Sequence, residues 1–485
     1  MAGMKRTTIL YLLIVTAATA AIAWLLHAGA TLPVPAGLPA TVAATAPVAA
    51  SDTSAVGSMM AGISKNSTGP LSHLFLQLLL IIAASRLVGR IFTRFGQPAV
   101  VGEMAAGILL GPSLFGLLAP GCFAFVFPAA SLGTLQLLSQ VGVCLFMFAV
   151  GMELNVDSVR HKAQTAVIVS HASILFPYLL GVALAYFLYT HLAAPGATFT
   201  AFALFMGISM SITAFPVLAR ILQERGMTRT LLGSTAITCA AIGDVTAWTI
   251  LAFVVAIARA SSLAACALNL LLVFVFIAVM IWVVRPALPR WLGITRLTQD
   301  EPSRGTLATV ICVTVAAAFC TELIGIHALF GAFLAGAIMP ETNDFRHKLS
   351  VRVENFSSVL LLPLFFVFTG LRTQVGLLND WQGWLICMVI IAVATLGKLG
   401  GTATTARFTG MSWTDSLQLG ALMNTRGLME LIALNIGYDL GILSPRIFTM
   451  LVIMALATTM LTGPLLTLFG EKHTSLADLP HPLRS

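Results

Sequence analysis

Charged residues are scarce in this chain. Asp, Glu, Lys and Arg supply 9% of the 485 residues, against about a quarter in an ordinary soluble domain, which excludes a water-facing globule. The seven cysteines offer no metal or redox chemistry. Most lie within apolar runs (Cys239, Cys266, Cys312, Cys320 and Cys387), without paired metal spacing or a disulfide framework, and they read as small packing residues. No glycine-rich phosphate cradle follows a strand pattern, which argues against ATP hydrolysis. No nucleophile and base stand at a recognisable spacing, which argues against a membrane-embedded enzyme. No repeated selectivity-filter sequence is present, which argues against a passive cation channel. What abounds is apolar: 58% hydrophobic residues and a mean hydropathy of +0.96 describe an all-α polytopic membrane protein.

Residues 1–30 combine a basic start (Lys5, Arg6), an apolar run over 9–26 and the small-residue sequence Ala28-Gly29-Ala30. They form either a signal peptide or an extra N-terminal transmembrane helix. Residues 31–70 are rich in Ala, Thr, Pro, Ser and Gly, nearly without charge, and read as a disordered extracytoplasmic linker. From 71 to 470, thirteen apolar segments reach or approach the length that crosses about 30 Å of hydrocarbon. They lie near 72–92, 97–118, 131–152, 163–189, 198–222, 230–258, 264–284, 305–325, 327–340, 354–371, 382–405, 412–437 and 446–469, the ninth being short.

A net charge of +8 points to nucleic acid only if its placement is ignored. Arg94, Arg160, Arg225, Arg290, Arg346, Lys348, Arg407 and most other basic residues follow odd-numbered segments, whereas the opposite side has Lys65, Arg259, Arg372 and Arg446. This is the asymmetry of cytoplasmic loops. It places the odd loops and the short tail, 471–485, in the cytoplasm of a bacterial inner (plasma) membrane, with no nucleic-acid partner.

Asp244 sits alone inside the apolar run 231–258. A charge at that depth costs several kcal/mol by most estimates, roughly, so an intramembrane carboxylate is a functional-site candidate. Two segments carry polar interruptions in mid-span: Ser209-Met210-Ser211-Ile212-Thr213-Ala214-Phe215-Pro216 in the fifth and Asn424-Thr425-Arg426-Gly427-Leu428-Met429-Glu430 in the twelfth. Pro216 removes a backbone donor and frees upstream carbonyls. The two lie seven segments apart, an odd offset, so they enter the membrane from opposite sides. That is the mark of an inverted-topology repeat, segments one to six against eight to thirteen. The broken helices are expected to cross near the midplane beside Asp244.

Asp244 is expected to bind H⁺ or a small cation but not both, because a lone carboxylate in a dry site is stable only when neutralised. The Thr213 hydroxyl and carbonyls near Ser211 to Phe215 would complete a hard oxygen shell for Na⁺ or K⁺, a metal held as cargo. Arg426 and Glu430, at i and i+4, form a structural pair that holds the twelfth helix where it unwinds. Lys398 is either a proton-responsive partner of Asp244 or a fixed counter-charge. Snorkelling to the interface is a weaker third reading, because Gly397 and Gly400 indicate tight packing. His171 and His327 are packed or titrating, Glu322 is another deep ionisable group, and Glu103 lines a cytoplasmic funnel.

Several stretches resemble the monovalent cation:proton antiporter-2 family (Kef-type antiporters and cation/H⁺ exchangers) of the sodium/proton antiporter superfamily. They are Gly96-Gln97-Pro98-Ala99-Val100-Val101-Gly102-Glu103 with Gly107-Ile108-Leu109-Leu110-Gly111-Pro112, Ser211 to Arg220, Gly325-Ile326-His327-Ala328-Leu329-Phe330-Gly331-Ala332-Phe333, Leu362-Pro363-Leu364-Phe365-Phe366, and Asn424 to Leu431. The resemblance covers 71–470. It implies thirteen core transmembrane helices, a homodimer and elevator-type alternating access without a cofactor. The transport bundle would be about 163–258 and 382–469, the dimerisation bundle about 72–152 and 305–371, and the linker helix about 264–284. It also implies that Asp244 is the transport aspartate, Thr213 the polar residue of the unwound fifth helix and Lys398 the basic residue facing that site; Ser211 as a further ion ligand and Arg426 and Glu430 as supporting charges come from the residues themselves.

Electrogenic relatives carry two adjacent aspartates where this chain has Gly243-Asp244. One carboxylate fewer implies that one cation exchanges for one proton, electroneutrally. No nucleotide-binding domain of the Kef type follows Gly470, so control by NAD or glutathione is not expected. The alternative functions are a passive cation channel, from a different class, and a sodium-coupled organic-anion symporter of similar inverted-repeat architecture, which would want more hydroxyl and amide ligands at the broken helices.

Overall fold

The computed structural model describes residues 66, 69–153, 163–227, 230–259, 263–292, 304–340 and 345–470. The expected signal peptide or first helix at 1–30, nearly all of the linker and the tail at 471–485 lie outside them. Residues 69–470 belong to one compact unit. Its secondary structure is helical, without a sheet among the described residues; Ala193 and Leu443 form an isolated bridge.

The helices run in chain order as α1 (Pro70–Arg94), α2 (Ala99–Leu110), α3 (Phe115–Leu118), α4 (Pro120–Val126), α5 (Ala129–Glu153), α6 (Ala163–Leu192), α7 (Phe199–Ser211), α8 (Phe215–Glu224), α9 (Leu231–Arg259), α10 (Leu263–Val279), α11 (Arg285–Trp291), α12 (Arg304–Ile324), α13 (Ala328–Ala337), α14 (Phe345–Phe356), α15 (Leu362–Arg372), α16 (Trp381–Phe408), α17 (Trp413–Met423), α18 (Leu428–Asp439) and α19 (Pro445–Leu468). Side-chain oxygens of Thr198, Ser412 and Ser444 accept a backbone N–H in the first turn of α7, α17 and α19, meeting donors that a helix start leaves open.

Eleven helices among the described residues are long and apolar enough to cross a membrane, where the sequence predicts thirteen. The ninth expected segment is α13, whose ten residues rise only about 15 Å. The twelfth is divided at 424–427 into α17 and α18, each too short alone. The fifth also breaks, at 212–214, between α7 and α8.

Glycines set how closely these helices approach. A Cβ on Gly397 would lie 3.0 Å from Pro177 Cα, and one on Gly401 2.7 Å from Phe176 Cβ, so α16 lies directly on α6. The packing pair is thus Gly397 and Gly401, at i and i+4. Gly400, expected to pack, faces open space.

Candidate functional site at the crossing of two broken helices

The two breaks are hydrogen-bonded to each other. After α7 ends at Ser211, Ile212 and Ala214 adopt extended angles. Ala214 N–H donates to the Thr425 carbonyl at 3.0 Å, and the Thr213 hydroxyl donates to the Met423 carbonyl at 2.9 Å. Pro216 plays a different part from that expected. It sits in the first turn of α8, where its missing N–H costs no helical bond. The extended backbone ends at the N-cap, Ala214, two positions before the proline. Gly427 closes the joint from the other side: a Cβ there would stand 2.8 Å from Val217 Cγ2 on α8.

Helix α19 holds the second break in shape. Thr459 Oγ1 lies 2.9 Å from both the N–H and the carbonyl of Arg426, and Asn424 Nδ2 donates to the Thr458 carbonyl at 3.3 Å. The Thr459 bonds serve backbone groups that the interruption would otherwise leave unmet in an apolar interior.

Two buried cations answer the carbonyls at the end of α7. Arg426 donates through Nη1 to Ser209 O and through Nη2 to Met210 O, both at 2.7 Å. Lys398 Nζ donates to Ser211 O and, at 2.9 Å, to Ser173 O. A helix C-terminus concentrates partial negative charge, so both cations sit where the field favours them. Arg426 Nη1 also pairs with Glu430 Oε2 at 3.1 Å, with both side chains fully buried. Glu430 lies in the first turn of α18, where a carboxylate complements the helix dipole. The pair therefore does more than hold its own helix, as expected from spacing; through Arg426 it ties α18 to α7.

Lys398 does not snorkel. It is wholly buried, and the charges acting on it are Arg426, Glu430 and Asp244. Asp244 is 1% exposed on α9, which packs against α6, α7, α8 and α17. Ser211 directs its hydroxyl to the carbonyls of Gly207 and Ile174 at 2.7 and 3.0 Å, joining α7 to α6.

A cavity of about 780 Å³ reaches this joint, bounded by Ala214, Pro216 and Val217 on one broken helix and Leu428 and Met429 on the other. Glu103 of α2 lines it together with Arg86 and Arg220. Other expected candidates stand apart from the joint. His171 is exposed on α6 and bonds Val167 O of its own helix at 2.8 Å. Glu322 is exposed and accepts the Ala328 N–H at 2.8 Å, capping α13. His327 precedes α13 with a left-handed backbone, φ 86°.

Two contributors were missed from the sequence. Pro177, inside α6, cannot donate to the carbonyl four residues back, which is Ser173 O, the acceptor of Lys398. The signal was present: a proline within an apolar run names the carbonyl it leaves open. Thr458, Thr459 and Thr462 on α19 were also legible as hydroxyls clustered in an apolar helix, although nothing local assigned them to the second break.

Residues 78–472 match the family model described as sodium/hydrogen exchanger, transmembrane. The chain is 42% identical over 399 residues to the Na(+)/H(+) antiporter NhaS4 of Synechocystis, covering 82% of this chain and 97% of that protein. It is 39% identical over 425 residues to Cation/H(+) antiporter 17 of Arabidopsis thaliana, covering 86% of this chain but 51% of the plant protein; the chain thus spans about half of that relative's length. Among solved structures it is similar in fold to the sodium proton antiporter MjNhaP1 of Methanocaldococcus jannaschii, with a TM-score of 0.55, 14% identity, and coverage of 82% of this chain and 100% of that one.

Proposed function

Because the chain belongs to the sodium/hydrogen exchanger family, we propose that it is a secondary active antiporter exchanging Na⁺ or K⁺ for H⁺, with Asp244 as the group that both ions share. The observation that carries this reading is the burial of a carboxylate beside both breaks. Asp244 is 1% exposed on α9, which packs against α7 and α8 of one broken span and α17 of the other, while Lys398 and Arg426 hold the carbonyls of Ser209, Met210 and Ser211. A proton or a cation neutralises Asp244, one at a time, and competition for one carboxylate couples their movements.

Thr213 gives its proton to Met423 O and keeps oxygen lone pairs for a hard cation. Ser211 adds lone pairs left after its own proton serves Gly207 and Ile174. The cation-loaded and proton-loaded forms carry the same charge, so one-for-one exchange is electroneutral. The organic-anion alternative is disfavoured because the polar side chains at the breaks are engaged with backbone: Thr213 with Met423, Asn424 with Thr458 and Thr425 with Leu422.

The distribution of basic residues among the loops supports an orientation with the Arg220 side of the cavity in the cytoplasm and Arg372 outside. Thirteen crossings result when α13 and the α17–α18 pair count as the ninth and twelfth. The transport bundle (163–258 and 382–469) moves against the dimerisation bundle (72–152 and 305–371) of a homodimer, with 264–284 as linker. The cavity supports this division, since α2 and α5 line one wall and α8 and α18 the other.

Reconstituted protein tests the proposal. Asp244→Asn is expected to abolish cation-dependent proton movement in proteoliposomes while leaving the purified protein monodisperse, and retained flux refutes the assignment. An imposed membrane potential is expected to leave the exchange rate unchanged at a clamped pH gradient.

A further inference from the structure

One seam between helices is open at one end and shut at the other. Helices α5, α15 and α18 line the large cavity through Phe146, Leu362, Leu428 and Met429. The same three helices line a second space of only about 30 Å³ through Val143, Phe365 and Ile436, room for one or two water molecules. At the shut end Arg372, the last residue of α15, meets the last turns of α18. It pairs with Asp439 Oδ1 at 2.6 Å and donates through Nη1 to Asn435 Oδ1 at 2.9 Å.

The Asn435 amide is itself fixed, donating to Thr369 Oγ1 of α15 at 2.8 Å and to Leu431 O at 2.9 Å. The guanidinium lies over the Phe368 ring at 4.2 Å and near the Tyr438 ring at 5.1 Å. Arg372 is thus held by charge, amide and two aromatic faces, one ring from each helix. A planar, five-donor cation suits such a junction better than a lysine.

We propose that the Arg372 contact with Asn435 and Asp439 is a latch that keeps the seam shut on the Arg372 side, and that it must part before the joint at Ala214 and Thr425 can face that side. This rests on the antiport reading for its purpose, since exchange needs access from both sides in turn. It does not rest on which ion binds Asp244. The bonds exist only while α15 and α18 abut at this end, so they stabilise the observed state and not its alternative, which is what biases a two-state equilibrium.

The test reads access directly. In protein with the native cysteines replaced, a single reporter, Ile436→Cys, is placed in the narrow crevice and labelled in proteoliposomes with a membrane-impermeant thiol reagent. Arg372→Gln is expected to raise its labelling rate about fivefold or more, from the loss of a partly exposed ion pair and a charged hydrogen bond. It is also expected to slow labelling of Leu362→Cys in the large cavity. Exchanging the charges, Arg372→Asp with Asp439→Arg, is expected to restore the slow rate at Ile436→Cys. Unchanged labelling at both reporters overturns the latch.

Should Arg372→Gln fail to give monodisperse protein, Asp439→Asn removes the ion pair and keeps the Asn435 bond. It is expected to produce a smaller rise, and no rise overturns the proposal equally. Adding Asp244→Asn separates the two ideas: latch-dependent labelling is expected to persist there, whereas failure of the antiport reading appears only as flux retained by that variant.

Discussion

Pro177 stands four residues after Ser173 on α6, and the Ser173 carbonyl accepts a hydrogen bond from the Lys398 ammonium at 2.9 Å. A residue with no N–H thereby creates the acceptor that anchors a buried lysine. With Gly243 in place of a second carboxylate, Lys398 Nζ is held by main-chain oxygens of α6 and α7, a placement that favours the fixed counter-charge reading over the proton-responsive one.

Lys398→Met should therefore behave as a structural loss. It leaves the carbonyls of Ser173 and Ser211 without their shared donor, at a cost of about 1–3 kcal/mol. Thermal unfolding in detergent is expected to shift down accordingly, while the remaining exchange keeps its one-for-one stoichiometry. A changed proton-to-cation ratio would instead make Lys398 a proton carrier.

The Arg426–Glu430 pair should respond asymmetrically. Arg426→Met strands a buried carboxylate and removes the donors to Ser209 and Met210, for which about 3–5 kcal/mol is expected. Glu430→Gln leaves Arg426 bound to both carbonyls and keeps an acceptor of similar shape, so about 1–2 kcal/mol is expected. Equal unfolding midpoints for the two variants would contradict the role of Arg426 as the tie between α7 and α18.

Much of this joint was legible because its polar residues interrupt otherwise apolar runs. Thr213, Arg426 and Glu430 stood out on cost alone, and Asp244 did so more sharply still. The partners did not stand out. Whether Lys398 reached carbonyls, a carboxylate or the interface depended on which face of α16 met α6, and Gly400 and Gly401 are equivalent by composition while only Gly401 makes the contact. Arg372 and Asp439, 67 positions apart, carried no local signal at all, and their meeting is a property of how α15 and α18 pack. The thirteen expected spans and the eleven long apolar helices among the described residues differ for a related reason: hydropathy reads through a break such as 424–427, whereas helix length does not.

Close approach at Gly427 gives a third test. Gly427→Ala forces a Cβ to within 2.8 Å of Val217 Cγ2, an overpacking expected to cost about 1–3 kcal/mol. Trimming the neighbour with Val217→Ala should recover part of that loss. Strictly additive effects in the double variant would show that the crossing is not where the cost arises.

Competition for one carboxylate makes a quantitative demand on pH. If cation and proton exclude each other at Asp244, the half-saturating cation concentration must rise as pH falls, approaching about tenfold per pH unit once the free carboxyl is mostly protonated. The maximal rate measured from the loading side would change far less, because enough cation displaces the proton. Initial rates of proton movement in proteoliposomes, titrated with Na⁺ and with K⁺ at several pH values, separate this from control by a distant group, which would lower the maximal rate and leave half-saturation in place. Thr213→Val should weaken half-saturation for the preferred cation at every pH without altering its slope against pH. A hydroxyl oxygen that ligates only the metal adds to cation affinity and contributes nothing to proton affinity.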